Sequence, residues 1–125
     1  MDEKKTILFA EDTVHIAKLL KFKLEKEGFN LIHFPSGVGV TEGVLKNMPD
    51  LVLLDIMMPV KDGLTVLKEI KSHPSLSNIP VVLLTANSHE EYVVKGLQLG
   101  ATDYILKPFA STELVLRIKN ILKMR

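Results

Sequence analysis

The 125 residues hold sixteen Lys and Arg against fifteen Asp and Glu, a formal charge of +1, with 46% hydrophobic residues and no cysteine. That length allows one domain, residues 1–125, with a substantial core, and the hydrophobic share is ordinary for a soluble globular protein. The charge balance excludes a strongly basic nucleic-acid binder, and the missing cysteines exclude a disulfide scaffold and thiolate chemistry.

The opening "MDEKKTILFAED" has a four-residue apolar stretch before two acids. A secretory signal needs a longer apolar region and a spanning helix about 20 apolar residues, so a soluble cytoplasmic protein with no membrane partner is expected. Thr6–Ala10 is the first of five short apolar or β-branched runs that read as strands. A helical period follows from Thr13 to Glu27, with Ile16, Ala17, Leu20 and Leu24 on one face and Gly28 as the stop. The second strand is Phe29–Phe34. The helix after it has the faintest pattern, because Gly37, Gly39 and Gly43 each disfavour helix by up to about 1 kcal/mol.

Leu51–Leu54 has no polar alternation and reads as a strand buried on both faces, ending against Asp55. A buried charge at that point needs a partner. The third helix starts from "KDG" and repeats Leu64, Leu67 and Ile70. Strand Pro80–Thr85 precedes a helix with Asn87-Ser88 as its cap region and Glu90 and Glu91 at its positive end. Strand Thr102–Leu106 precedes the last helix, with Ser111 as cap and Leu114, Ile118, Ile121 and Leu122 inward. Strands alternating with helices through short links predict an α/β fold, (βα)5, with a parallel five-stranded sheet and helices on both faces.

Ligands of such sheets bind outside the carboxyl ends of the strands, where the winding reverses. Those ends carry Glu11 and Asp12, then Asp55, then Thr85 with Asn87, then Lys107, Pro108 and Phe109. Three acids in one place repel one another, and a divalent cation with a taste for hard oxygen ligands, Mg²⁺ (or Mn²⁺), removes the conflict. No His or Cys stands at these ends, which disfavours Zn²⁺. Lys107 has the charge to hold a phosphoryl oxygen and Thr85 a hydroxyl to donate to another. Metal, ammonium and hydroxyl around one carboxylate make a clamp for phosphoryl transfer, with Asp55 free to attack. His15, His33, His73 and His89 show no ligand spacing and are taken as surface or half-buried. Met58 is taken as core filler, and Arg117, Lys119, Lys123 and Arg125 as a solvated helix face rather than a nucleic-acid patch.

The ordered set "AED", "LLDIMMPVKDG", "LLTA" and "DYILKPF" resembles the receiver domain of bacterial two-component response regulators, from the first strand to the last helix. The resemblance implies the flavodoxin-like strand order 2-1-3-4-5. It makes Asp55 the phosphoacceptor, Lys107 and Thr85 its catalytic partners, and Thr85 and Tyr104 the switch pair. It also implies a metal site of Asp12, Asp55 and the backbone carbonyl of Met57, with Glu11 acting largely through water, and a cis Lys107–Pro108 bond. Two departures are visible: Glu11 replaces the commoner Asp, and Lys61 stands where the pattern usually has Met, which makes that loop more polar.

The function so implied is a switch phosphorylated by a sensor histidine kinase or histidine phosphotransfer protein, with a downstream protein target on the surface of helix four, strand five and helix five. The sequence ends at Arg125 after the last helical pattern, and the expectation is a stand-alone receiver or a phosphorelay intermediate. Val14, Ile16, Leu19, Phe22, Phe109 and Ala110 are expected to ring the site for a partner's histidine-bearing helix. Met57 and Asn87, each two residues after Asp55 and Thr85, are expected to tune phosphoryl lifetime. Two alternatives stand beside this: an interaction module of the same fold that works without phosphorylation, and a phosphohydrolase with an Asp nucleophile. The hydrolase would need an acid at position 57, where Met57 cannot move protons.

Overall fold

The computed structural model describes residues 4–86 and 90–124. The apolar runs become strands β1 (Thr6–Ala10), β2 (Asn30–Phe34), β3 (Leu51–Asp55), β4 (Val81–Ala86) and β5 (Asp103–Lys107). Between and after them lie α1 (Val14–Lys26), α2 (Val40–Asn47), α3 (Gly63–Ser72), α4 (Glu90–Gln98) and α5 (Ser111–Ile121). All pairings are parallel and the strand order is β2-β1-β3-β4-β5.

The period of two along each strand divides the core into two layers. Ile7, Phe9, Leu51, Leu53, Val82 and Leu84 face α1 and α5, where Ala17, Leu20, Leu24, Leu114 and Ile118 meet them. Leu8, Ala10, Val52, Leu54, Val81 and Leu83 face the opposite way, against Val40 and Val44 of α2 and Val66, Leu67 and Ile70 of α3. Each such fully buried aliphatic side chain contributes roughly 1.5–3 kcal/mol of transfer free energy. Because β1, β3 and β4 are covered on both faces, their sequences are unbroken apolar runs.

Several expectations need adjustment. β5 begins and ends one residue later than the sequence pattern, so Lys107 is the last strand residue rather than the first loop residue. β2 starts at Asn30, and β4 runs from Val81 to Ala86. Ser111 is not the cap of α5: Ala110 holds the N-cap position, no side chain caps it, and Ser111 is the first helical residue. The Asn87-Ser88 cap region lies outside the described residues. α2 forms despite its glycines, for two of the three precede it and the third, Gly43, is filled by a neighbour. A Cβ there would stand 2.5 Å from the Phe34 ring, so the side chain that glycine lacks is replaced by aromatic packing. α1 ends as expected, at Gly28 with φ +94°.

Candidate functional site

The winding reverses between β1 and β3, and the carboxyl ends of β1, β3, β4 and β5 converge there. Asp55 closes β3 opposite Leu84. Thr85 follows on β4, and Lys107 closes β5 opposite Ala86. Strands lie about 4.8 Å apart, so Lys107 starts two strands from Asp55, a gap of about 10 Å that only a long side chain spans. Its ammonium crosses β4 and ends 2.9 Å from Asp55 Oδ2 and 2.8 Å from Glu11 Oε1.

Glu11 and Asp12 follow β1 and have opposite environments. Glu11 is fully buried and Asp12 exposed. Glu11 Oε2 accepts the Thr13 N–H at 3.1 Å, which draws the carboxylate under the start of α1. Glu11 Oε1 is buried, and its polar contact among the described residues is the ion pair with Lys107. One oxygen each of Glu11, Asp12 and Asp55 lie within 4.8 Å of one another. Burial pushes the Asp55 carboxyl up to about 6, with the Glu11 charge adding to it and the Lys107 hydrogen bond opposing it. Burial works to lower the Lys107 pKa as well, but its bonds to Glu11 and Asp55 outweigh burial and hold the ammonium above its ordinary value. Among the described residues, three clustered carboxylates face the one ammonium of Lys107, which leaves the site short of positive charge. All-oxygen donors of this kind fit a hard divalent cation.

The loop from β3 to α3 is held tightly. The Met57 N–H donates to Asp55 Oδ1 at 3.3 Å, while the Met57 side chain is 48% exposed and Met58 is buried. Val60 adopts φ +67°, with the Lys61 N–H donating to the Pro59 carbonyl at 2.7 Å, a γ-turn that is strained for a β-branched residue. Lys61, the departure from the motif, is not a loose polar group. Its carbonyl accepts the Gly37 N–H at 3.1 Å, and its ammonium pairs with Glu69 at 2.6 Å. Glu69 also accepts the Thr41 hydroxyl at 2.5 Å, so α2, α3 and this loop share one polar junction. Asp62 caps α3 by accepting the Thr65 N–H at 2.8 Å. Gly63 packs directly on the end of β3, with no room for a side chain.

Thr85 is buried, and its hydroxyl donates to the neighbouring Ala86 carbonyl at 3.3 Å, a long bond that other acceptors can replace. Tyr104 is half-buried and lines a cleft of about 270 Å³ with Ala86, Glu90, Val93 and Leu106. The Lys107–Pro108 bond is cis, as the resemblance implied. Asn87 lies outside the described residues.

Of the apolar ring, Val14 (67% exposed), Phe22 (62%) and Leu19 are exposed on α1, with the Lys23 ammonium over the Phe22 ring, and Ala110 is exposed. Ile16 and Phe109 are half-buried and pack on the α1/α5 core layer, so core packing claims part of both. His33 is exposed, in line with its reading as a surface or half-buried residue, but sequence reasoning gave it no structural role. Its ring stacks on Phe9 at 4.6 Å between centroids, and Nε2 donates to the Glu11 carbonyl at 2.9 Å, which helps to set the chain direction into the acid pair. Its place in the β2 register, opposite Phe9, was the available signal.

The model of the response regulator receiver domain family matches residues 7–119. The transcriptional regulatory protein RprY of Bacteroides fragilis is 40% identical over 123 residues, which are 98% of this chain and 51% of that protein. This chain thus spans about half the length of that relative. A candidate response regulator from Chloroflexus aurantiacus, 34% identical, superimposes with a TM-score of 0.92 over 97% of this chain and 99% of that one. The receiver domain of the sensor histidine kinase PA1611 from Pseudomonas aeruginosa is 26% identical, with a TM-score of 0.87 over 94% of this chain and 97% of that one. In that protein a magnesium ion is coordinated in the active-site cleft. With the five-stranded order, the converging acids and these matches in hand, the chain belongs to the response regulator receiver domain family.

Proposed function

We propose that Asp55 accepts a phosphoryl group from a phosphohistidine of a sensor histidine kinase or histidine phosphotransfer protein, and that the chain works as a cytoplasmic signalling switch. The observation that carries this reading is the Lys107 ammonium, 2.9 Å from Asp55 and 2.8 Å from Glu11, inside a cluster of three acids. An Asp55 oxygen attacks phosphorus, the bond from phosphorus to the histidine nitrogen breaks, and the imidazole leaves with that electron pair. Lys107 neutralises phosphoryl charge, and Thr85 donates to a phosphoryl oxygen. Asp12, Asp55 and the Met57 carbonyl would hold Mg²⁺ (or Mn²⁺), with Glu11 acting through water. The ion, when bound, supplies the positive charge that the three acids and the incoming phosphoryl group lack. Val14, Leu19 and Phe22 offer the donor protein an apolar surface on α1. The reaction is the chain's own phosphorylation and dephosphorylation, not turnover of a substrate.

Incubation with acetyl phosphate and Mg²⁺ is expected to add one phosphoryl group per chain, read by intact mass. EDTA and Asp55→Asn are each expected to abolish it. Labelling that survives Asp55→Asn would move the acceptor elsewhere, and no labelling of the wild type would favour an interaction module that works without phosphorylation.

The readout proposed is the α4–β5–α5 surface, which exposes Val94, Leu97 and Leu106 to a downstream protein. A phosphoryl oxygen draws the Thr85 hydroxyl away from its long bond to Ala86, and the Tyr104 ring turns into the space vacated. Thr85→Ala is expected to accept the phosphoryl group, more slowly, while losing this response. A charge-assisted hydrogen bond is worth about 1.5–3 kcal/mol, enough to reverse a two-state balance of that size. The chain has no Trp, so NMR of the Tyr104 ring and α4 amides with beryllofluoride is the suitable measurement. Wild-type shifts in Thr85→Ala would remove Thr85 from the coupling.

A further inference from the structure

We propose that Met57 is a methionine-oxidation site through which a peroxide shortens the lifetime of the phosphoryl group on Asp55; this rests on the phosphoacceptor reading. The chain has no cysteine, so its five methionines are its only sulfur. Neighbouring methionines differ sharply in access: Met57 is 48% exposed and Met58 is 8% exposed. Met57 lines an open cleft of about 360 Å³ with Ile56, Met58, Asp62, Leu64 and Tyr92, so an oxidant the size of hydrogen peroxide reaches its sulfur. Its own backbone N–H donates to Asp55 Oδ1 at 3.3 Å, so the residue that carries the thioether is anchored at the carboxylate.

The chemistry balances with hydrogen peroxide as the two-electron oxidant. A thioether lone pair attacks one peroxide oxygen, the O–O bond breaks, and water and the sulfoxide are the products. A thioether is a weak acceptor that does not orient water, whereas a sulfoxide oxygen is polar and accepts hydrogen bonds well. Oxidation therefore places a water-holding group beside the acyl phosphate without changing any charged residue. Methionine sulfoxide reductases reverse the change. Met48 is 52% exposed at the end of α2, so it oxidises as well and serves as the control for access.

The test uses the full chain, wild type and in a Met48→Leu background. After hydrogen peroxide and then catalase, peptide mass mapping is expected to find Met48 (wild type) and Met57 oxidised ahead of Met58. Acetyl phosphate and Mg²⁺ then load the protein, and decay is followed after donor removal. Oxidised protein is expected to lose the phosphoryl group roughly threefold to tenfold faster, the effect of one added hydrogen bond on a barrier. Met57→Gln is expected to show the faster decay without peroxide, Met57→Leu to decay at its own rate with or without it, and the reductases to restore the original rate. Met57 left unoxidised while Met48 reacts would overturn the site. Complete Met57 oxidation with unchanged decay would overturn the tuning role alone. No labelling before oxidation would overturn the phosphoacceptor reading, and the tuning role with it.

Discussion

Asp55→Asn is expected to stabilise the protein by up to about 3 kcal/mol at pH 7 in metal-free buffer, although it removes the proposed acceptor. The carboxyl is pushed from 3.8 to about 6 in the folded chain, first by burial and further by the Glu11 charge, against the pull of Lys107. A raised carboxyl pKa means that the folded state binds the proton more tightly than the unfolded one. Well below pH 4 both states are protonated and no penalty exists. Between about 4 and 6 the unfolded chain ionises first, so stability falls as pH rises; above 6 the full penalty remains. Asparagine keeps the shape and an acceptor for Lys107, which stays paired with Glu11, and it carries no charge to desolvate. Urea unfolding in EDTA at pH 7 and pH 4 checks this, with most of the gain expected to be gone at the lower pH. Millimolar Mg²⁺ is expected to narrow the gap at pH 7, since a ligand of the folded state stabilises the protein that binds it. Wild type more stable than Asp55→Asn in EDTA at pH 7 would mean that attraction to Lys107 outweighs burial.

Gly63→Ala is expected to lose about 3 kcal/mol or more of stability and, with it, phosphoryl acceptance. A Cβ at Gly63 would stand 2.2 Å from the Asp55 carbonyl oxygen and 2.9 Å from its carbon, with Ile56 Cα at 3.0 Å. All three are backbone atoms, so relief requires moving the start of α3 or the end of β3. Either shift breaks the Gly63 N–H bond to the Ile56 carbonyl at 3.0 Å and displaces Asp55 itself. Overpacking commonly costs about 1–3 kcal/mol, and a clash with backbone belongs at the upper end. Gly96→Ala is the instructive comparison. Its Cβ would meet Leu83 Cδ1 at 2.3 Å, the far end of a side chain that can change rotamer. The mid-helix alanine also recovers up to about 1 kcal/mol of propensity, so a smaller loss is expected there. Denaturant unfolding of both variants decides it, and a Gly63→Ala protein within 1 kcal/mol of wild type would show that the loop yields.

How much of this was legible beforehand follows from the range of each force. The layered α/β fold was readable because both of its periods are local: unbroken apolar runs at 51–54 and 81–84 make doubly covered strands, and the spacing of Ala17, Leu20 and Leu24 makes one helix face. Asp55, Glu11, Asp12, Thr85 and Lys107 were nameable because a parallel sheet collects the carboxyl ends of its strands, whatever the details of packing. Strand order was different, since apolar runs do not say which run pairs with which; it came with the resemblance, and the pairing of β1 with both β2 and β3 bears it out.

The tertiary structure alone decided what depends on contacts between distant residues. Helix α2 is stable because the Phe34 ring fills the space at Gly43, which propensity, a property of single residues, does not register. Lys61 looked like a polar intrusion in a loop until Glu69 and Thr41, on two other helices, were brought to it. Two adjacent acids, Glu11 and Asp12, were divided into one fully buried and one exposed carboxylate by the turn from β1 into α1. The sequence by itself determined the fold class and which groups meet at the sheet end, because those follow from local periodicity and chain direction. Burial, charge pairing and the exposure of Met57 beside Asp55 were decided only when the strands closed up, because desolvation and ion pairing act over a few ångströms between residues tens of positions apart.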